Sequence, residues 1–502
     1  MNSRKKIVNL RFFLILFVCI CTGSLVASLT FDKPFFEYYV IGAIAVLLIL
    51  VVVIMKKRSI LPVVCIVGLL FTYATGMSAI KASIASPDTL KGDMVKVRVE
   101  YVSDDLTYVR VMDGIDGVDG LCSFDSSVIF DYRLDVGNEI ILDGVTLNKQ
   151  PVMRDGALNT FFFNSRTRYD LVAQDLVSVS EGSKSITEII RSGLISACDN
   201  LPEDIRGVTI ALLTGDKYAV DDSVYRNYRV SGVAHVLAVS GMHVGFLVIF
   251  IEWVFKKFRF KRLTRILTLI PITFFLCALC DFTPSVVRAS IMVIVHLLIP
   301  VLTKRRYDML SSISLSGCII VLINPMSIHS YGFLLSFASV TGIALFSKSI
   351  EKRLTFLPKF LSSTIAVSLA TTISVFPLTV YLFGEFSILS LLTNVIVLPV
   401  LSVGYGILVA FSAIAVIFPP FAFLIQAGGS VVYFLNFVTG VIASVDIASV
   451  TLSAPLWFCL TYYGCVTSVS GYVNFSTFTK RMILIALMIL LVVYFCFLCK
   501  IA

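Results

Sequence analysis

Three apolar runs near the N-terminus constrain the fold of this 502-residue chain more than any other feature: Phe12–Leu29, Tyr39–Met55 and Ile60–Ile80. A transmembrane helix needs ~20 consecutive apolar residues, so each run is long enough to cross a bilayer. Hydrophobic residues make up 57% of the chain and charged residues only 15%, whereas a soluble domain is typically about a quarter charged. The sequence therefore predicts an integral membrane protein.

The basic residues between apolar runs predict its orientation. Arg4–Lys6 precedes the first run and Lys56–Arg58 separates the second from the third. Basic loops favour the cytoplasm, which places the N-terminus inside and the residues after the third run outside. The first run resembles a signal peptide, but the second follows at once, and we interpret it as an uncleaved helix. Continuing this count along the chain predicts ten to thirteen spans, the last being Met482–Leu498.

The stretch Gly92–Val179 has a different pattern. Its residues alternate between apolar and polar over Val95–Val102 and Tyr108–Val111, and several glycines mark turns. Period-two alternation interrupted by turns predicts a small antiparallel barrel or sandwich, and an OB-like barrel is one candidate. Acidic residues outnumber basic ones in this insert, so the rest of the chain carries more positive charge than the overall +9.

Polar residues within one apolar span form the first candidate site. His235, Ser240, Gly241 and His243 lie in the otherwise apolar stretch from Gly232 onward. Polar groups inside a membrane usually face the bundle interior or water and mark a pathway or site. The alternative is that Ser240-Gly241 breaks a helix and that neighbouring backbone satisfies both imidazoles.

A second candidate site lies around Arg288. Thr283 before Pro284 is typical of a helix start, which places Arg288 one turn into the next span. A guanidinium there is costly unless it is paired or faces water. Asp281, at the outer boundary, is a candidate partner, and a purely structural ion pair is the alternative.

Small residues and prolines mark the later spans. Ser336, Ser339 and Gly342 suit close contact between helices, and helix packing is our interpretation of them. Pro377 and Pro399 fall near the middle of apolar runs. Prolines there predict discontinuous helices, which occur where backbone lines a cavity.

Several motifs occur together in one order: Leu212–Lys217, Tyr228–Val244, Asp281–Met292, Asn324-Pro325, Gly332–Phe337 and Phe376-Pro377. With them the chain resembles the ComEC-type competence proteins, the inner-membrane DNA-internalisation channels of natural transformation. The resemblance covers about residues 190–415. The insert resembles the OB-like domain of that family in position and size only.

The resemblance implies a polytopic α-helical membrane protein with a small extracytoplasmic OB-like β-barrel insert. Four regions are expected. They are N-terminal transmembrane helices (1–85), the extracytoplasmic OB-like β domain (86–183), a competence-type channel bundle with broken helices (184–416) and C-terminal transmembrane helices (417–502). The expected localisation is the inner (plasma) membrane.

The same resemblance implies a function and partners. One DNA strand enters the cytoplasm through the bundle, while the other is degraded outside. The expected partners are single-stranded DNA, a cytoplasmic motor helicase, a periplasmic or surface DNA receptor, a separate nuclease and the lipid bilayer. The expected path residues are His235, Ser240, Gly241, His243, Asp281 and Arg288.

We expect no catalysis, cofactor or metal in this chain. Many family members end in a metallo-β-lactamase-like domain, whose ligands typically form an HxHxDH string. The four histidines here form no such string, and no GxxxxGK[ST] motor motif occurs. Nuclease activity and pulling force are therefore expected from partners.

The insert allows two interpretations. Single-strand binding by an OB fold needs a positive groove with stacking aromatic side chains. The net negative charge opposes this, but Arg154, Arg166 and Arg168 form a local basic strip that is our candidate for DNA contact. A plug or assembly module is the other interpretation. A disulfide between Cys122 and Cys198 is left open.

Two other functions remain open at this stage. The chain could be a membrane-embedded hydrolase or transferase that uses Ser240 and His243 on a lipid or cell-wall precursor, although no GxSxG elbow supports it. It could instead be a transporter of small anionic solutes, for which discontinuous helices would be suitable. A transporter of this kind has no obvious use for the large insert.

Overall fold

A computed structural model of the chain describes residues 12–30, 61–102, 106–115, 118, 121–125, 137–151, 153–154, 157–158, 167–182, 186–237, 239–280, 282–302, 309–445, 447–452, 454–469, 476, 478–487 and 500–501. Contacts divide the chain into two compact units. One comprises Met1–Ile15, Ala197–Gly317 and Tyr331–Ala502, and the other comprises Leu16–Ser196 and Cys318–Ser330. The predicted span Tyr39–Met55 lies outside the described residues, as does the end of Met482–Leu498.

The second unit begins at Leu16 within helix α1 (Phe12–Thr30) and continues with α2 (Leu61–Ala85). The two helices match two of the predicted spans. They cross closely at Gly23, where a Cβ atom would lie 2.3 Å from the Leu69 carbonyl oxygen. The Thr72 hydroxyl donates to the Ile20 carbonyl at 3.0 Å across the same crossing. Small residues and interhelical hydrogen bonds of this kind are what hold helices together in a membrane.

The insert folds as a closed β-barrel in the same unit. Its strands are β1 (Thr89–Val102), β2 (Leu106–Asp113), β3 (Leu121–Asp125), β4 (Asn138–Lys149), a short β5–β6 hairpin (Met153–Arg154 and Ala157–Leu158), β7 (Thr167–Val172) and β8 (Asp175–Glu181). The order is β1-β2-β3-β7-β4, and β4 pairs back onto β1 to close five strands. The β3–β7 pair is parallel, and the other pairs of the barrel are antiparallel. This closed five-stranded arrangement confirms the predicted OB-like barrel.

Alternating apolar residues build the barrel core. Val95, Val97 and Val99 on β1 are fully buried, as the period-two pattern predicts for side chains on one face of a strand. Cys122 is also fully buried in this core and is a free thiol. Burial, with a smaller contribution from the Asp170 carboxylate, raises the pKa of this thiol to about 12. Cys198 is a free buried thiol too, so neither cysteine is in a disulfide.

Helices make up nearly all of the remaining described chain. They are α3 (Ile186–Ala197), α4 (Glu203–Thr214), α5 (Asp222–Val230), α6 (Gly241–Lys257), α7 (Arg262–Leu279), α8 (Pro284–Leu302), α9 (Met309–Ile323), α10 (Tyr331–Gly342), α11 (Lys348–Glu351), α12 (Lys359–Phe383), α13 (Ser390–Ile417), α14 (Leu424–Ala443), α15 (Leu456–Val469) and α16 (478–487). Short strands β9 (Glu385–Ser387), β10 (Ser449–Thr451) and β11 (Lys500–Ile501) form a small sheet.

Among the described residues, five helical stretches are long and apolar enough to cross a membrane: Val64–Ile84, Tyr331–Glu351, Lys359–Phe383, Ser390–Ile417 and Pro419–Ala443. Shorter apolar helices, such as Leu263–Leu279 and Ser285–Leu298, accompany them. The chain is a multi-pass helical membrane protein with a small barrel insert.

The prediction of discontinuous helices at the mid-span prolines is wrong. Helix α12 continues through Pro377, and α13 continues through Pro399. Proline at position 377 cannot donate to the carbonyl of Ile373, one turn earlier. The Tyr462 hydroxyl of α15 donates to that carbonyl instead, at 2.9 Å. Because a neighbouring helix satisfies the freed carbonyl, the helix has no need to break.

Helices α10 and α12 pack at small residues, as expected from the sequence. A Cβ atom on Gly342 would lie 2.1 Å from the Ser374 hydroxyl oxygen and 2.6 Å from the Ala370 carbonyl oxygen, so only glycine fits this contact. The chain then forms one π-helical turn at Ile343–Ser347 before α11. Such turns relieve local mismatch in long helices and often lie near functional sites.

Candidate functional site: a buried arginine beside a capped helix start

The helical break predicted near Ser240 is present in the first unit. Helix α5 ends at Val230, a 3₁₀ turn spans Ala234–Val236, and α6 begins only at Gly241. Gly232 has a φ of +79°, and a Cβ there would lie 2.5 Å from that of Ser390. The left-handed backbone and the lack of space both require glycine at this turn.

Ser240 caps the N-terminus of α6. Its hydroxyl accepts from the Met242 backbone N–H at 3.3 Å, and its own backbone N–H donates to Nδ1 of His243 at 3.1 Å. This is a reciprocal capping box in which histidine takes the place that Glu or Gln usually has. The 3.3 Å contact between the Ser240 hydroxyl and His243 Nδ1 is thus part of a cap. It gives no independent reason to assign a serine nucleophile.

The two histidines have different surroundings. His243 is fully buried, and its ring packs edge-on against Tyr405 of α13 with centroids 4.8 Å apart. Because Nδ1 accepts a hydrogen bond, the ring proton belongs on Nε2, and that atom has no partner among the described residues. The backbone therefore satisfies only half of this imidazole. His235 has an exposed side chain.

Arg288 is buried on α8 with 3% of its surface exposed. One guanidinium nitrogen donates to the Ser336 hydroxyl, and the guanidinium carbon lies 5.6 Å from the ring centroid of Phe337. Its Nε has no hydrogen-bond partner, and no carboxylate in the described part of the chain forms a salt bridge with it. A buried guanidinium without an anion is energetically costly.

The start of α6 and Arg288 lie against each other. A Cβ atom added to Gly241 would lie 2.6 Å from Nη2 of Arg288 and 3.3 Å from the Cβ of Ala289. Glycine at position 241 therefore permits this close approach. A Cβ atom added to Gly245, one turn further along α6, would have no other atom within 4 Å.

The remaining predicted site residues are only partly described. Helix α8 starts at Pro284, as predicted, but Asp281 lies outside the described residues, so its pairing with Arg288 stays a prediction. The backbones of Arg154 and Arg168 lie in β5 and β7, and Arg166 is also outside the described residues. All three positions belong to, or border, the connection between strands β4 and β7 of the barrel.

The arrangement is suited to binding an oxyanion. A helix N-terminus carries a partial positive charge, and Arg288 adds a full one beside it. Arginine presents a planar set of donors that matches phosphate oxygens. Within the described residues, no group of three or more His, Cys, Asp or Glu side chains could hold a metal ion.

Sequence reasoning did not assign three residues to this site. The sequence pattern indicates helix packing for Ser336, and no local pattern assigns Phe337 or Tyr405 to this site. Ser336 and Phe337 lie within Gly332–Phe337, one of the motifs that carry the family resemblance. That motif is the feature of the sequence that could have pointed to them. Tyr405 is a single polar aromatic residue in a long apolar helix and gave little signal.

Comparisons with known proteins agree with the motifs. Residues 212–475, just over half of the chain, match the family model described as Competence protein. The chain is 31% identical over 232 residues to ComE operon protein 3 of Bacillus subtilis (strain 168), which covers 46% of this chain and 29% of that protein. It is 28% identical over 236 residues to an uncharacterized protein of Aquifex aeolicus (strain VF5), covering 46% of this chain and 53% of the relative. No solved structure matches the chain significantly.

Proposed function

The chain belongs to the ComEC-type competence protein family, and we propose that it serves DNA uptake as an inner-membrane channel that passes one strand into the cytoplasm. The family match spans the helical unit that holds Arg288 and His243. The aligned segments cover only 29% and 53% of the lengths of these two relatives. The activity of this chain is therefore a proposal and does not follow from the similarity alone.

The observation that carries this proposal is the buried guanidinium of Arg288, which has no anionic partner among the described residues. Intramembrane charges usually mark the path of a substrate. A DNA strand presents one phosphate per nucleotide, and phosphate contacts bind nucleic acid without regard to sequence. Uptake of arbitrary DNA requires this kind of recognition.

The path proposed here runs past the break between α5 and α6. His235 and Ser240 lie on the irregular segment, and Gly241, His243 and Arg288 lie where α6 meets α8. Asp281, at the predicted outer boundary, completes the proposed set. The backbone break gives the strand a surface that a regular helix would cover with side chains.

The barrel is proposed to lie outside the cytoplasm and to contact DNA through the β4–β7 connection. In OB folds, the loop between the fourth and fifth barrel strands is one of those that bind oligonucleotides. Arg154, Arg166 and Arg168 lie in or beside this connection. A plug or assembly role for the barrel remains the alternative.

Energy and strand degradation are proposed to come from partners. A cytoplasmic motor helicase would pull the strand, a receptor outside the membrane would deliver the duplex, and a separate nuclease would degrade the second strand. The orientation follows the basic connectors, with the N-terminus in the cytoplasm.

Deletion of the gene in a transformable host tests the proposal. Cells are given labelled double-stranded DNA, and protected label is measured in the envelope and in the cytoplasm. We expect envelope label without cytoplasmic label, and restoration by the wild-type gene. Unchanged cytoplasmic label in the deletion strain would exclude the channel function.

A further inference from the structure

Arg288 has no anionic partner among the described residues. Its hydroxyl partner Ser336 and the face of Phe337 are both neutral, and its Nε has no acceptor in the part of the chain that the structure describes. Hydroxyl and aromatic contacts orient a guanidinium but do not neutralise it. A buried charge is costly unless a counter-charge is close, and Arg288 is 3% exposed, so the described residues leave this charge uncompensated.

The start of α6 adds to this excess of positive charge. Gly241 is the first residue of a 17-residue helix, and its Cα faces Nη2 of Arg288. A helix N-terminus repels a cation and attracts an anion, so the two features oppose each other unless an anion contacts both of them. His243, in the same first turn, contributes a further buried nitrogen, Nε2, without a described partner.

We infer that Arg288, Ser336 and the N-terminus of α6 at Gly241 form a binding site for an oxyanion of the size of phosphate. The absent side chain of Gly241 lets the guanidinium lie against the first turn of α6, and the planar donor set of arginine matches two phosphate oxygens. The anion could be a phosphodiester of the strand or free phosphate, since both present the same oxygens. Only the assignment to a DNA phosphodiester rests on the proposed function.

Phosphate alone is the first probe. Full-length protein in lipid nanodiscs is heated in sodium phosphate or in sodium chloride of equal ionic strength, and the midpoint of thermal unfolding (Tm) is recorded. A ligand that binds only the folded state raises the Tm. We expect phosphate to raise the Tm of the wild type and Arg288→Gln to weaken the effect at least about tenfold in phosphate concentration.

Arg229→Gln is the matched control. Arg229 is exposed and already paired with Glu385 at 2.6 Å, so its loss should leave the phosphate effect unchanged. Gly241→Ala is a second test variant, which retains the charge of Arg288 but places a methyl group 2.6 Å from Nη2, so the guanidinium must move away from the start of α6. It should weaken the phosphate effect even if Arg288→Gln does not fold.

The outcomes separate the site from the function. No phosphate effect in the wild type, or the same effect in Arg288→Gln and Gly241→Ala, would overturn the anion site. Asp281→Asn tests the other way to neutralise Arg288. An ion pair with Asp281 predicts a lower Tm in this variant and no phosphate effect in the wild type, which would also overturn the site.

A single-stranded oligothymidylate is the second probe. Protection by both phosphate and the oligonucleotide, each lost in Arg288→Gln, supports the site and its use by DNA. Protection by phosphate with no Arg288-dependent effect of the oligonucleotide supports the anion site but contradicts the proposed DNA function. It would favour a transporter of small anions.

Discussion

The backbone N–H of Ser240 donates to Nδ1 of His243 at 3.1 Å, and this hydrogen bond fixes the imidazole at the first turn of α6. The serine hydroxyl completes the reciprocal cap through the Met242 N–H. Two residues that the sequence marks as a functional pair are therefore also the start signal of a helix. What the cap leaves unexplained is the buried Nε2 of the same ring.

Replacement of His243 separates capping from transport. Glutamine is a usual residue at this position of a capping box, so His243→Gln should keep the stability that His243→Ala loses, about 1 kcal/mol. If Nε2 acts on the DNA path, both variants should transform poorly although only the alanine variant is less stable. Transformation frequency and the Tm of the purified proteins measure the two effects. Wild-type transformation by His243→Gln would reduce this residue to a capping role.

The approach of α6 to Arg288 should tolerate no side chain at position 241. Gly241→Ala places a methyl group 2.6 Å from the original position of Nη2, so the guanidinium must move. We expect transformation to fall about tenfold or more at normal expression, because a 1 Å displacement of a functional group is costly. Gly245→Ala, on the same helix with open space around the new methyl group, is the control and should transform normally. Equal transformation by the two variants would show that the contact has no functional role.

The contact between Tyr462 and helix α12, which contains Pro377, should stabilise the first unit. Tyr462→Phe leaves the half-buried Ile373 carbonyl without this donor and should cost about 1 kcal/mol. Pro377→Ala restores a backbone N–H that can donate to the same carbonyl, so the phenylalanine change should cost less in that background. Thermal unfolding of the wild type, the two single variants and the double variant gives the coupling free energy between positions 462 and 377. Tyr433→Phe, at an exposed position, should have no effect.

The barrel should become less stable through Glu139 as the pH falls below the ordinary pKa of glutamate. A hydrogen bond from Lys96 at 2.6 Å, with its charge, lowers the pKa of this carboxyl group. A lowered pKa in the folded state means that the pair stabilises the barrel above the ordinary pKa of glutamate. That contribution is lost as pH falls through the lowered value.

Lys96→Gln should therefore destabilise the barrel at neutral pH and have progressively less effect as the solution is acidified. Hydrogen exchange of peptides from β4 in the full-length protein, at several pH values and corrected for intrinsic exchange, measures this difference. A difference between variant and wild type that stays constant down to pH 2 would show that the pair contributes nothing through the charge of Glu139.

Local patterns predicted the elements whose causes are local. The alternation over Val95–Val102 gave the inward face of β1, and Thr283-Pro284 gave the start of α8. The break before Gly241 followed from the polar string around Ser240. In each case the residues that cause the structure lie within one turn or strand of it.

The rest depends on partners far along the chain. Ser336 lies 48 residues from Arg288, and no local pattern links a packing serine to that guanidinium. Pro377 looked like a helix break because the donor that replaces its N–H, Tyr462, lies 89 residues from the carbonyl it satisfies. Tertiary hydrogen bonds of this kind override the local preference of proline.

Photocrosslinking during uptake tests most directly whether a strand passes this site. A photoreactive amino acid replaces exposed His235 beside the proposed path, or exposed Phe437 on α14 as a control, in cells that take up labelled DNA. Our account predicts that His235 yields crosslinks to single-stranded DNA in cells whose uptake is active and that Phe437 yields none. Absence of crosslinks at position 235 in cells that transform normally, or equal crosslinking at both positions, would contradict it.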